Sequence, residues 1–360
     1  HRLRRELESD PIRFLAPERE LEPKLDAVRS CLSRLVNAPA SDIAFVRNAT
    51  DGVNAVVRSM KLRAGDEIVC TDHGYNACNN AARFAIQRAE GNLRVAKIPF
   101  PLRSENEVIE AIESELTGRT KLLLVDHVTS PTGLVFPLPA IIAAAHSRDI
   151  PVLVDGAHAP GMIPLDLTEL DADYYTANHH KWLCGPKVSG FLYVRPEHQA
   201  NVRPTVISHA ANRDRPDRSR FIAEFDWNGT FDPTPLLSVP AAIDFLNSLM
   251  PGGIHALMKA NQTKAIIARS MLCEALHFDC PAPDSMIGSL ASIPLPDSAQ
   301  RRFPSIDDLC SKLFDDYHLE LPIFEMPAIN QQLLRVSLQA YNDIEQIERL
   351  CNALRIEFDG

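Results

Sequence analysis

Two short apolar runs, each followed by a chemically distinctive residue, constrain this chain most. PVLVDGAHAPG (151–161) opens with four apolar residues and stops on Asp155-Gly156. It reads as a buried strand with a turn behind it. DYYTAN (173–178) is a second β-rich run, and Lys181 follows it in a turn punctuated by Gly and Pro. Two neighbouring strands of this kind bring an acid and a lysine to one edge of a sheet. In an open α/β sheet the carboxyl edge is where ligands bind.

The rest of the chain supplies such a sheet. IAFV, DEIVC, LRVAKIPF and KLLLV each read as a strand, and each is followed by an amphipathic helical pattern. This βα alternation from Ile43 to Tyr193 predicts a mostly parallel, seven-stranded sheet with helices on both faces. Residues 1–38 form a charged helical arm, 39–235 the large α/β domain, and 236–360 a helical connection and a smaller α+β domain, with Gly252-Gly253 as a break. In the small domain IGSLASIPLP and LLRVSLQAYN read as strands, and IDDLCSKLFDDYH and DIEQIERLCNALRI as helices.

Composition excludes several classes. A net charge of −10 disfavours nucleic acid or an anionic membrane as partner, and no apolar run reaches spanning length. Eight cysteines lack metal-finger or small-scaffold spacing and read as reduced, mostly core residues of a cytoplasmic protein. The chain begins on His1 rather than Met, so a leading segment is expected before it.

An acid on one strand end and a lysine past the next suit pyridoxal 5'-phosphate (PLP). This cofactor is held on a lysine as a Schiff base, while a carboxylate keeps its ring nitrogen protonated. Lys181 and Asp155 are the candidates; the competing reading is a turn-capping acid and a surface lysine. DGAHAPG followed by NHHKWLCGPK decides between them. These motifs resemble the class V aminotransferase-like family of fold-type I PLP enzymes, and within it the isopenicillin N epimerase-like branch. The resemblance runs from about Pro11 to the C-terminus.

The resemblance implies roles for further residues. Asn48-Ala49-Thr50 lies between a strand and a helix start, an anion site by its free N–H groups and helix dipole. Ala49 and Thr50 become the phosphate contacts, although Thr50 alone would read as an N-cap. Tyr75 becomes the ring that stacks on the cofactor, against a helix-start aromatic packed on the sheet; His73 stands nearby. Ser130 and His158 fall near the phenolic oxygen, and Asn178 and His180 on the phosphate side. Thr230, in NGTFDPTP, reaches the phosphate of a partner subunit, so the active site belongs to a homodimer. Arg335 clamps the substrate carboxylate through its guanidinium fork, against a surface strand arginine. The arm packs with the small domain, where Arg13 approaches the substrate or stays on the surface. SHAANRDRPDRSRF reads as a mobile, arginine-rich loop, an active-site flap or a solvated segment, with His209 as a substrate contact. A zinc site at His158, His179, His180 and Cys184 is the competing reading, but no HExxH or paired CxxC frames it.

The expected activity is that of an amino-acid epimerase or racemase, with an aminotransferase or a C–S lyase as alternatives on the same scaffold. A metal-dependent hydrolase or a non-catalytic binding protein is the alternative from another class. Freed Lys181 is the Cα base. Epimerisation also asks for an acid on the other face, and Tyr75 or His73 is available. Desulfurase relatives carry a nucleophilic cysteine shortly before the carboxylate-binding arginine. Here that approach reads LPIFEMPAINQQLLR and lacks one.

Overall fold

The computed structural model describes residues 1–213, 215–326 and 330–358. Ten strands are seen among them: β1 (Ile43–Val46), β2 (Glu67–Thr71), β3 (Asn92–Ala96), β4 (Thr120–Asp126), β5 (Val152–Asp155), β6 (Tyr174–Asn178), β7 (Gly190–Val194), β8 (Leu290–Pro294), β9 (Ile323–Met326) and β10 (Gln331–Ser337). The first seven form one sheet in the order β1-β7-β6-β5-β4-β2-β3. Only β7 runs against the rest, antiparallel to both β6 and β1. The fold is the expected α/β architecture of fold-type I PLP enzymes.

Period-two alternation sorts the strand residues onto two cores. Val69, Leu123, Val125, Val152 and Val154 face one way, under helices Glu105–Glu113 and Leu138–His146. Ile68, Leu122, Leu124 and Leu153 face the other, under helices Ala49–Ser59 and Asn76–Arg88. Both faces are covered, which is why β4 and β5 read as nearly continuous apolar runs. Gly52 lets helix Ala49–Ser59 press onto β6, since a Cβ there would stand 2.1 Å from Thr176 Oγ1.

The C-terminal part is a three-stranded antiparallel sheet, β8-β10-β9. Its core is shared with helices Gly253–Ala275, Ile306–Tyr317 and Ile344–Phe358. In the arm, helix Glu22–Val36 buries Leu25, Val28 and Leu32 against Phe45, Leu183 and the connecting helices, through Val239, Ile243, Leu257 and Met258. The arm thus meets β1 and the connecting helices, and no described residue of the small sheet is in this cluster.

The arginine-rich segment runs along the N-terminal arm. It ends in a buried helix, Arg220–Asp226. Arg213 pairs with Glu18, Arg215 with Glu22 at 2.9 Å, and Arg218 with Asp26 at 2.6 Å, so its cations face the arm. Arg29, itself buried, pairs with Asp226 and donates Nε to the Ile43 carbonyl at 2.8 Å. Among the described residues no helix is long and apolar enough to cross a membrane.

Candidate active site

The parallel strands end together, and their ends carry the chemistry. Asp126 closes β4, Asp155 closes β5, and Asn178 closes β6, with Lys181 three residues on. Lys181 Nζ lies 2.9 Å from His158 Nε2. The other ring nitrogen of His158, Nδ1, receives the Trp182 Nε1–H at 3.3 Å. An indole nitrogen only donates, so His158 Nδ1 accepts, and a neutral imidazole then carries its proton on Nε2. Burial, with Lys181 next, drives the His158 pKa well below the usual imidazole value. That ring therefore donates to Lys181, and an amine that accepts is unprotonated. Burial of Lys181 works the same way and outweighs the pull of Asp155, lowering the amine's pKa.

Asp155 is buried and well bonded. Oδ1 accepts the Ala157 N–H at 3.0 Å and Oδ2 the Cys78 S–H at 3.0 Å. Burial, followed by the Asp155 charge, pushes the Cys78 thiol far up, so it remains a donor. Neither Asp126 nor Cys78 is singled out by the sequence reading. The signal for Asp126 was present: KLLLVD and PVLVD are the same strand ending written twice.

The start of helix Ala49–Ser59 is capped from two sides. Asn48 Oδ1 accepts the Asp51 N–H at 2.9 Å, and Asn178 Oδ1 accepts the Ala49 N–H at 2.9 Å. Asn178 thus joins β6 to the expected phosphate loop, and in this structure it occupies the amide assigned to a phosphate. His180 is half-buried, and its Nδ1 has no partner among the described residues.

Tyr75 stands at the mouth, 45% exposed, with its ring centroid 5.9 Å from Lys181 Nζ. It lines a cavity of about 520 Å³ together with Ser130, Pro131 and Phe324. Arg335, on β10, reaches across from the small sheet. Its Nη1 donates to the Ser130 carbonyl and lies 3.2 Å from Ser130 Oγ, its guanidinium lies 4.9 Å from the centre of the Phe324 ring, and Nε has no partner among the described residues.

Other expected residues lie elsewhere. His73 is buried between Phe100 and Phe136, with Nδ1 3.0 Å from Thr132 Oγ1. Burial lowers its pKa to about 4, which leaves it a poor acid donor to the mouth. His209 lines a separate cavity with Pro17, Glu22, Arg213 and Trp227. Arg13 pairs with Glu20 at 2.5 Å. Thr230 lines a cavity of about 510 Å³ beside Arg47, Val188 and Asp232. Among the described residues no three His, Cys, Asp or Glu side chains gather at metal-binding geometry.

Residues 16–350 match the sequence profile of the family described as aminotransferase class V. The chain belongs to that family. An isopenicillin N epimerase of Amycolatopsis lactamdurans is 32% identical, over 98% of this chain and 89% of that protein. A probable chloroplastic L-cysteine desulfhydrase of Arabidopsis thaliana is 29% identical, over 95% and 77%. Among solved structures, a cystine C–S lyase in complex with its product cysteine persulfide superposes with a TM-score of 0.79 at 20% identity, over 98% and 91%.

As a class V enzyme the protein is PLP-dependent, and its residues fit the cofactor. A buried carboxylate, an unprotonated lysine amine and a helix N-terminus converge on one sheet edge. The orphaned Nδ1 of His180 adds a buried polar atom that a bound group would satisfy.

Proposed function

We propose that this PLP-dependent enzyme moves the Cα proton of an α-amino acid as an epimerase or racemase. Lys181 and Asp155 hold the cofactor, Asp155 at the ring nitrogen. Ala49, Thr50, Asn178 and His180 serve its phosphate side, His158 and Ser130 its phenolic oxygen, and Tyr75 its ring face. Arg335 binds the substrate carboxylate. Thr230 serves the partner's site in a homodimer. Bound PLP supplies an electron sink for charge developing at Cα.

The observation that carries this reading is the pairing of an unprotonated Lys181 with the Tyr75 ring 5.9 Å away. Lys181 takes the proton at Nζ, and the resulting ammonium recovers the free amine by giving a proton up to solvent, while the His158 N–H at 2.9 Å favours that free amine. The Tyr75 phenol gives a proton from the opposite side. The 32% identity to an isopenicillin N epimerase supports the same chemistry. A second reading, β-elimination as in a C–S lyase, is favoured by the removal of His73 from the mouth. Lys181 by itself suffices for elimination.

Amino acids incubated with the PLP-loaded enzyme in deuterium oxide separate the two. Deuterium at Cα with inverted configuration supports epimerisation, and Tyr75→Phe should then lose inversion at least a hundredfold while Lys181-side exchange continues. Release of thiol, ammonia and keto acid, with no inverted product, sinks the epimerase reading in favour of the lyase.

A further inference from the structure

Asp126 and Asp155 are register partners on adjacent parallel strands. The ladder continues one residue further, where the His127 N–H meets the Asp155 carbonyl at 2.9 Å, so this register is locked. Register partners in a parallel pair point to the same face, with strands about 4.8 Å apart. Both carboxyls are nearly sealed from water, Asp126 4% and Asp155 2% exposed.

Two buried carboxyls at such spacing share charge poorly; one keeps its proton. The surrounding donors decide which. Asp155 accepts two hydrogen bonds, from Ala157 N–H and Cys78 S–H. Asp126 has the Tyr75 backbone N–H beside it. The other titratable groups facing Asp126 are Cys70 on β2, Cys78 on helix Asn76–Arg88 and Lys181 beyond β6. The two thiols are held protonated by burial, and Lys181 is unprotonated by the argument from His158. Even a charged Lys181 would pull the Asp126 carboxyl down less than burial and the Asp155 charge push it up.

We propose that Asp126 is a positioning residue that retains its proton beside the Asp155 carboxylate, so that the sheet edge presents a single negative charge, on Asp155, to the ring nitrogen of PLP. The inference rests on the assignment of Asp155 under the proposed function. Burial first, and then the Asp155 charge, raise the Asp126 carboxyl well above its usual range, which agrees with the geometry.

The test is infrared spectroscopy at pH 8 on the PLP-loaded and cofactor-free protein, reading the carbonyl stretch of a buried, protonated carboxylic acid. The expected result is a band in the parent that is absent from Asp126→Asn. No such band, or one that survives in Asp126→Asn and vanishes in Asp155→Asn, overturns the proposal. If Asp126→Asn does not fold, Asp126→Glu with carboxyl-13C aspartate replaces it. Loss of the labelled aspartate band there supports the proposal, and its retention refutes it. Failure of the underlying assignment looks different: Asp155→Asn would then keep the parent's PLP affinity and absorbance, whatever the infrared band does.

Discussion

At the scale of a residue, the state of Lys181 is set by a chain of three donors and acceptors, Trp182 to His158 to Lys181. Removing the middle member should be read in pH, not only in rate. His158→Phe takes away the N–H that favours the free amine, so the Lys181 pKa should rise. The pH at which Cα deuterium exchange reaches half its maximum should move up, and exchange at neutral pH should fall roughly tenfold for each unit of that rise. An unmoved profile would show that His158 does not govern the base. Lys181→Ala should leave no borohydride-fixed PLP on the protein, and a retained adduct would refute its assignment as the anchoring lysine. That Asp155 and Lys181 stand at one sheet edge was legible in the sequence, because each ends or follows a short β-rich run; their assignment came from the DGAHAPG and NHHKWLCGPK motifs. Asp126 was not legible, although it ends an equivalent run. Its meaning lies in cross-strand register, and register is not written in either strand alone.

At the scale of an element, helix Ala49–Ser59 shows how packing overrides propensity. Alanine normally stabilises a helix interior over glycine by about 1 kcal/mol. At Gly52 the new methyl would collide with Thr176, whose Oγ1 is held by the Phe191 carbonyl at 2.9 Å. Gly52→Ala should therefore destabilise the fold by roughly 1–3 kcal/mol, the cost of overpacking, and weaken PLP binding by shifting the helix start. Thermal melts and a PLP titration check both, and a stabilised variant would contradict the packing argument. The base of the sheet offers a pH test. Asp173, just before β6, accepts His146 at 2.8 Å, His198 at 2.9 Å and the Val152 N–H at 2.7 Å. Burial raises its pKa, but these partners outweigh it and hold the carboxyl down to about 2. The stability it contributes is present above the unfolded value near about 4 and is lost as pH falls toward the folded one. Asp173→Ala should cost roughly 2–4 kcal/mol at neutral pH, and the gap from the parent should narrow in denaturant melts below pH about 4. The sequence located this strand and most others by alternation and bounding turns. It did not reveal β9, whose four residues IFEM alternate only weakly in burial.

At the scale of the whole molecule, the arm and the segment before helix Arg220–Asp226 are held together by charge. The arginines there were read as solvated or substrate-facing because their partners, Glu18, Glu22 and Asp26, lie almost 200 residues earlier. No local pattern reports a pairing at that distance. Arg29 is the buried centre of this network, and Asp226 would be left with Arg218 alone. Arg29→Ala should cost roughly 3–5 kcal/mol. The loss should persist in high salt, because buried pairs are screened weakly. Denaturant melts with and without salt decide it, and a loss that salt erases would mean that only surface charge was removed.

The edge of the large sheet carries a consequence for how the chain reaches this state. β1 has β7 as its neighbour, and Ile43 waits for Tyr193, roughly 150 residues later, before it is paired. During synthesis the first strand made is among the last enclosed, and until then its apolar side is open to other chains. Closing a loop of that size is entropically slow to begin. Refolding should thus be limited by the arrival of β7, with aggregation as the competing outcome for any chain halted before it.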